Sequence, residues 1–194
     1  MFEPEYRIGL RVLREKVGTW PTLKIVIPAI LKSMRIRYHA DKDADEPERT
    51  KAQLKNHFKL LAQLYKELRR RYGTQRTNEI MRDVLMKGGK AFFRGFTPLG
   101  EHDDLVSFAG VYKAFEKNNI VFDVVEESKE RFEIVVKRCL IYEAFNELGI
   151  ADVTQWMCDI AFEYFSAYHP NMTYMKDRTI ARGDDTCHEV FTWQ

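Results

Sequence analysis

Apolar positions recur at helical spacing through the first 118 residues and then shift to a two-residue period. In residues 5–17, Tyr6, Leu10, Leu13 and Val17 form one stripe, with Gly18 in the position that ends a helix. Trp20-Pro21 opens a second segment, in which Leu23, Ile27, Ile30 and Met34 repeat the spacing; Pro28 is predicted to kink or interrupt it. The polar stretch 41–48 reads as a loop. Leu54, Phe58, Leu61, Tyr65, Leu68 and Tyr72 then follow a 3.6-residue period, with Pro47 near the start and Gly73 at the end. Residues 77–95 continue helically through Ile80, Val84, Leu85, Ala91 and Phe92. Gly88-Gly89 interrupts this pattern and reads as close helix packing, because a phosphate cradle would need a strand immediately before the glycines. Asp103 is the predicted N-cap of a further helix through Leu105, Phe108, Ala109, Tyr112 and Phe115 to Asn118-Asn119.

Residues 120–125 and 131–136 are β-branched runs around a polar tip at 126–130, the pattern of a hairpin. Phe132, Ile134 and Val136 alternate with Arg131, Glu133 and Val135, so the second strand should be half buried. Two helices are expected at 140–148, ending at Gly149, and at 152–167, before Pro170. A second hairpin follows, 172–181 with 186–193, turned by Arg182-Gly183-Asp184-Asp185. The predicted fold is α+β: N-terminal helices packed on a four-stranded antiparallel sheet made of the two hairpins. One domain over 1–194 is expected, with a mainly helical part at 1–118 and a hairpin-helix-helix-hairpin part at 119–194.

With 194 residues and 45% hydrophobic content, the chain can bury a full core without staples. The 31 Lys and Arg residues are interspersed with 29 Asp and Glu residues, for a net charge of +2, and form no nucleic-acid footprint. The start, Met1-Phe2-Glu3-Pro4-Glu5, carries acids where a secretory signal would carry lysines. No apolar run approaches the roughly 18 residues of a membrane span. A soluble, cytoplasmic protein is expected, with a small-molecule substrate, no nucleic acid and no membrane as partners, and with homo-oligomerisation left open.

All three cysteines lie in the last third of the chain, too few and too odd in number for a disulfide scaffold. Cys139 sits where a strand passes into a helix, where N-terminal amides favour a thiolate, and Glu143 follows at i+4. Cys158 lies in mid-helix beside Asp159. Cys187 is followed by His188, but neighbouring strand residues face opposite ways, so the two should not share a pocket. Three readings remain open. The cysteines are core fillers, they belong to a reactive site, or Cys139, Cys158 and Cys187 are thiolate ligands of zinc or an iron-sulfur cluster.

The segment 136–191 resembles the L-2-amino-thiazoline-4-carboxylic acid hydrolase family. The resemblance is carried by Arg138-Cys139, Glu147-Leu148-Gly149, Cys158-Asp159, Asn171, and the run Arg178-Thr179 through Gly183 to Cys187. It departs from the family pattern after the last cysteine, where His188-Glu189 stands in place of an acid followed by an aromatic, so the substrate need not be the one in the family name. The resemblance implies ring opening of a small cyclic C–N/C–S substrate to an N-carbamoyl product; no cofactor is predicted, with zinc or an iron-sulfur cluster left open. On chemical grounds, Cys139 would serve as nucleophile or thiolate base and Asp159 and Glu143 as proton carriers. Arg178 would bind the substrate carboxylate, with Cys158 and Cys187 completing the pocket. The alternative is a non-catalytic small-molecule or metal-binding module built on the three cysteines.

Overall fold

The computed structural model describes residues 4–194. Met1, Phe2 and Glu3, on which part of the reading of the N-terminus rests, lie outside the described residues. Three helices come first: α1 (Pro4–Val17), α2 (Thr19–Arg35) and α3 (Glu46–Phe96). They are followed by α4 (Leu105–Glu116), the hairpin β1 (Ile120–Glu127) and β2 (Arg131–Cys139), α5 (Leu140–Glu147), α6 (Asp152–Phe165), and the hairpin β3 (Met172–Arg178) and β4 (Cys187–Trp193). All four strands join one antiparallel sheet in the order β1-β2-β4-β3, so the expected α+β fold is present and the two hairpins meet through β2 and β4.

Local chemistry sets the element ends. Gly18 closes α1 at φ 85°, a backbone conformation that side chains resist. Asp45 caps α3 by accepting from the Glu48 amide at 3.0 Å. The cap of α4 is Asp104, one residue later than expected, and its carboxylate accepts from the Ser107 amide at 2.8 Å. Within α3, Gly73 leaves helical geometry at φ 73° and ψ 174°, so two helical arms meet where the sequence placed a helix end. Gly88-Gly89 does not break the second arm. A Cβ on Gly89 would lie 2.9 Å from Cδ1 of Ile160, which makes this glycine the contact point of α3 on α6.

Helix α2 departs from expectation twice. Pro28 leaves it continuous. The carbonyl that Pro28 cannot satisfy, that of Lys24 four residues earlier, accepts instead from the Arg71 guanidinium at 3.0 Å. The apolar stripe read from the sequence also points mostly outward: Leu23, Ile27 and Met34 are 43%, 52% and 70% exposed, while Thr22, Ile25, Ala29 and Ser33 form the buried face. Small residues on the inner side let α2 lie close to its neighbours, and close approach decided the orientation over side-chain hydrophobicity.

Two apolar clusters result. One lies under the sheet, where Phe132, Ile134, Val136 and Phe191 meet Phe108, Tyr112, Phe165 and Tyr168 from α4, α6 and the turn after it. The other gathers Leu13, Ile25, Tyr65, Leu68, Ile80, Phe145 and Val153 from α1, α2, α3, α5 and α6. Leu85 and Met157 pack against both. No helix among the described residues is long and apolar enough to cross a membrane.

Candidate functional site

The inner face of β4 carries Cys187, Glu189 and Phe191, and Phe132, Ile134 and Val136 on β2 face the same way. Glu189 is therefore a carboxylate in an otherwise apolar row, only 4% exposed. Register places it between Ile134 and Lys176. The Lys176 ammonium lies 2.7 Å from its Oε1, and the Tyr112 hydroxyl donates to its Oε2 at 2.6 Å. Burial pushes the Glu189 pKa up, but Lys176, Tyr112 and Tyr174 outweigh it, leaving the carboxyl below its ordinary value. Lys176 moves the opposite way: burial favours its neutral form, yet Glu189 foremost holds it well above the usual lysine range. Both members are charged at neutral pH. Glu116, at the end of α4, is pushed up to about 8 by burial and by the nearby Glu189 charge, so it is a neutral acid at pH 7.

The three thiols gather around this pair. Cys139 is felt electrostatically by Cys158, Cys187 and Lys176, and both Cys158 and Cys187 by Lys176 and Glu189. Cys139 is the N-cap of α5, its sulfur accepting from the Tyr142 amide at 3.4 Å. That amide lowers the thiol pKa as expected for a helix N-terminus, but burial is stronger and the net result is about 12. Burial also raises Cys158 and Cys187, and the Cys187 sulfur accepts from the Ile180 amide at 3.3 Å. All three rest as neutral thiols. Among the described residues, no group of three His, Cys, Asp or Glu side chains has the arrangement of a metal site.

Of the other expected site residues, Glu143 and Asp159 are held by arginines and Arg178 stands in solvent. Glu143 is held by two hydrogen bonds from Arg138, at 2.9 and 2.7 Å, in a network with Glu48 and Lys51. Its carboxylate turns back to the strand residue before Cys139, an arrangement the i+4 spacing alone could not show. Asp159 accepts from Arg182 at 3.0 Å and joins α6 to the turn before β4. Arg178 is solvent-exposed, with only a 3.9 Å contact to Asp177; a bulge between Lys176 and Arg178 shifts the strand register there, and Lys176 is the buried cation.

His188 faces away from Cys187, as strand alternation requires. It is not a freely solvated side chain, however, because its two nitrogens bridge Asp177 and Glu133, each at 2.9 Å. The Glu133 hydrogen bond, the largest cause, and Asp177 together raise its pKa. A raised histidine pKa stabilises the fold fully below the unfolded value of about 6.5 and ceases to do so as pH rises through the folded value. His188→Gln is therefore expected to destabilise the protein in mildly acidic buffer and to match the wild type in alkaline buffer, by thermal melting across pH. A constant difference across that range would remove the bridge from the stability account.

Sequence reading missed Lys176, Glu189, Tyr112 and Glu116. A signal existed: the i, i+2 series Cys187, Glu189, Phe191 puts an acid on the apolar face of a strand, and Tyr174, Lys176 does the same with a base on its partner.

The model of the family described as L-2-amino-thiazoline-4-carboxylic acid hydrolase matches residues 53–191. A comparison with curated proteins finds no match. Among solved structures, the chain is similar to the Fe(II) unliganded H-NOX protein from K. algicida, at 16% identity and a TM-score of 0.41 over 98% of this chain and 95% of that one. A point mutant of that protein aligns with the same values.

Proposed function

The chain belongs to the L-2-amino-thiazoline-4-carboxylic acid hydrolase family, and from that premise we propose that it hydrolyses a small cyclic, amidine-like substrate at a carbon bonded to nitrogen and sulfur. The observation that carries this reading is the buried Lys176–Glu189 pair with three thiols in its electrostatic reach. A charge pair in an apolar layer is costly, and strongly shifted groups of this kind cluster at functional sites.

For a 2-aminothiazoline-4-carboxylate, water adds to C2, the C2–S bond breaks, and the sulfur leaves as a thiol, giving N-carbamoylcysteine. Glu189, held ionised by Lys176, is suited to take the proton from the attacking water. Glu116, neutral at pH 7, is suited to return a proton to the leaving sulfur. Cys139, Cys158 and Cys187 stand within electrostatic reach of the pair as neutral thiols. Direct attack by Cys139 is the less favoured route, because it would need a thiolate that burial opposes. Arg178, exposed at the end of β3, is the guanidinium available to meet a substrate carboxylate arriving from solvent.

The test is incubation of the purified protein with 2-aminothiazoline-4-carboxylate and a small panel of cyclic amidines, reading released thiol and the mass of the carbamoyl product. Turnover is expected, falling about 10²-fold in Glu189→Gln, with Cys139→Ala keeping more activity than Glu189→Gln. Absence of turnover on every member of the panel would overturn the reading.

A further inference from the structure

We propose that the hollow enclosed by α1, α2, α3 and α6 is a binding site for a single aliphatic chain, the hydrocarbon part of a fatty-acid-like or lipid molecule. The hollow measures about 320 Å³, within the range of small-molecule pockets. Leu13, Ile30, Leu61, Val84, Phe92 and Met157 represent its wall, and Tyr6 and His57 are the lining side chains with polar atoms. Water gains little there, because a buried water needs two to four polar partners. Left empty, the lining atoms lose dispersion contacts. An apolar occupant answers both problems, and a flexible chain needs none of the convergent polar groups that orient a polar ligand.

The hollow cannot close by the helices moving together. At Gly9, α1 already lies against α3, where an added Cβ would be 3.3 Å from Cγ1 of Val84. At Gly89, α3 lies against α6 with still less room, 2.9 Å from Cδ1 of Ile160. Backbone-level contacts thus frame the space from two sides and prop it open, and core relaxation of the kind that fills a deletion cavity is blocked.

The way in is marked by the orientation of α2. Ile25 and Ala29 point into the core, Val26 and Ile30 line the hollow, and Leu23, Ile27 and Leu31 are 43%, 52% and 54% exposed. Apolar surface therefore runs unbroken around the helix from the hollow to solvent. Leu10, 37% exposed and also in the lining, stands at the rim on α1, with the exposed His57 on α3. This site is separate from the Lys176–Glu189 cluster under the sheet, and the inference does not rest on the hydrolase reading.

The test uses a dansylated undecanoic acid titrated into the native full-length protein, followed by fluorescence, with displacement by decanol and by a lysophospholipid. Saturable binding of one probe per chain is expected, displaced by decanol. Displacement by the lysophospholipid as well would identify membrane lipid as a source of the chain; displacement by decanol alone would restrict the site to free amphiphiles. Ile30→Trp and Leu10→Trp fill the hollow and its rim. Each should weaken binding at least about tenfold with the melting temperature unchanged or raised, which separates filling from unfolding. Val125→Ser, 57% exposed on β1 and outside the lining of the hollow, should leave binding unchanged. Absence of saturable binding overturns the proposal, and so does binding that survives both tryptophan variants or is lost in Val125→Ser, since the probe would then sit outside the hollow.

Discussion

Lys176→Met is expected to destabilise the fold by about 3–5 kcal/mol, the cost of leaving a buried carboxylate without its counter-ion. Glu189 is only 4% exposed. With Lys176 gone, its remaining hydrogen-bond partners are the phenols of Tyr112 and Tyr174. Burial would then dominate and raise the carboxyl pKa. A raised acid pKa penalises the folded state increasingly as pH climbs from the unfolded carboxyl value of about 4.3 toward the folded one and fully above it, so the loss should be largest in neutral and alkaline buffer and shrink below about pH 5. Adding Glu189→Gln to Lys176→Met removes the orphaned charge while keeping an acceptor for the Tyr112 hydroxyl, and should recover most of the stability. The measurement is urea unfolding of the two singles and the double at several pH values, with the slope checked for constancy. A Lys176→Met protein within about 1 kcal/mol of wild type at neutral pH would show that the pair does not act as a buried ion pair. The double variant, stable but inactive, would separate what the pair does for chemistry from what it does for folding.

Much of the fold is legible because its elements are specified locally. The period change at Ile120, the alternation Phe132, Ile134, Val136 and the Gly183 turn announce two hairpins without any knowledge of the helices. Gly73 reads as a helix end because a glycine after a long apolar period stops a helix; the backbone does leave helical geometry there, but the chain resumes at once. What fails depends on partners far along the chain. Pro28 reads as a breaker until Arg71, 47 residues from Lys24, supplies the hydrogen bond that the Lys24 carbonyl lacks. The stripe Leu23, Ile27, Met34 reads as a core face until a rival face of small residues, Thr22, Ala29 and Ser33, is given something to lie against.

The candidate site divides along the same line. Cys187 and His188 facing apart follows from pleating alone, whereas the meeting of the three thiols does not, because it depends on how α6, which carries Cys158 in its middle, packs on the sheet. The state of those thiols does not follow, because the helix N-terminus at Cys139 is visible in sequence whereas the burial that overrides it is a tertiary property. Glu143, Asp159 and Arg178 are attractive by proximity in sequence. Arg138 and Arg182 claim the first two, and a strand bulge precedes the third, leaving it in solvent.

Phe191→Ala should cost about 4–5 kcal/mol, at the upper end for a buried aromatic, and should also impair the site more than its distance from the chemistry suggests. Phe191 is fully buried. Its ring centroid lies 4.5 Å from that of Tyr174, 5.0 Å from Phe108, 5.1 Å from Tyr112, 5.8 Å from Phe132 and 5.9 Å from Phe165. These rings come from the sheet, α4 and α6, so a cavity at Phe191 opens where three elements meet and no single one can move in to fill it. Such aromatic pairs contribute about 0.5–1.5 kcal/mol beyond area burial. Tyr112 and Tyr174 are also the phenols that face Glu189. Loss of the ring between them should loosen their hold on the carboxylate and raise its pKa. Phe191→Leu keeps most of the volume and is expected to cost less than about 2 kcal/mol, leaving a folded protein in which the electrostatic consequence can be read alone. In that variant, any activity dependent on ionised Glu189 should show its acidic limb displaced to higher pH. An unshifted limb with normal melting would mean that Lys176 by itself sets the state of Glu189, and that the aromatic cluster supports the fold without tuning the site.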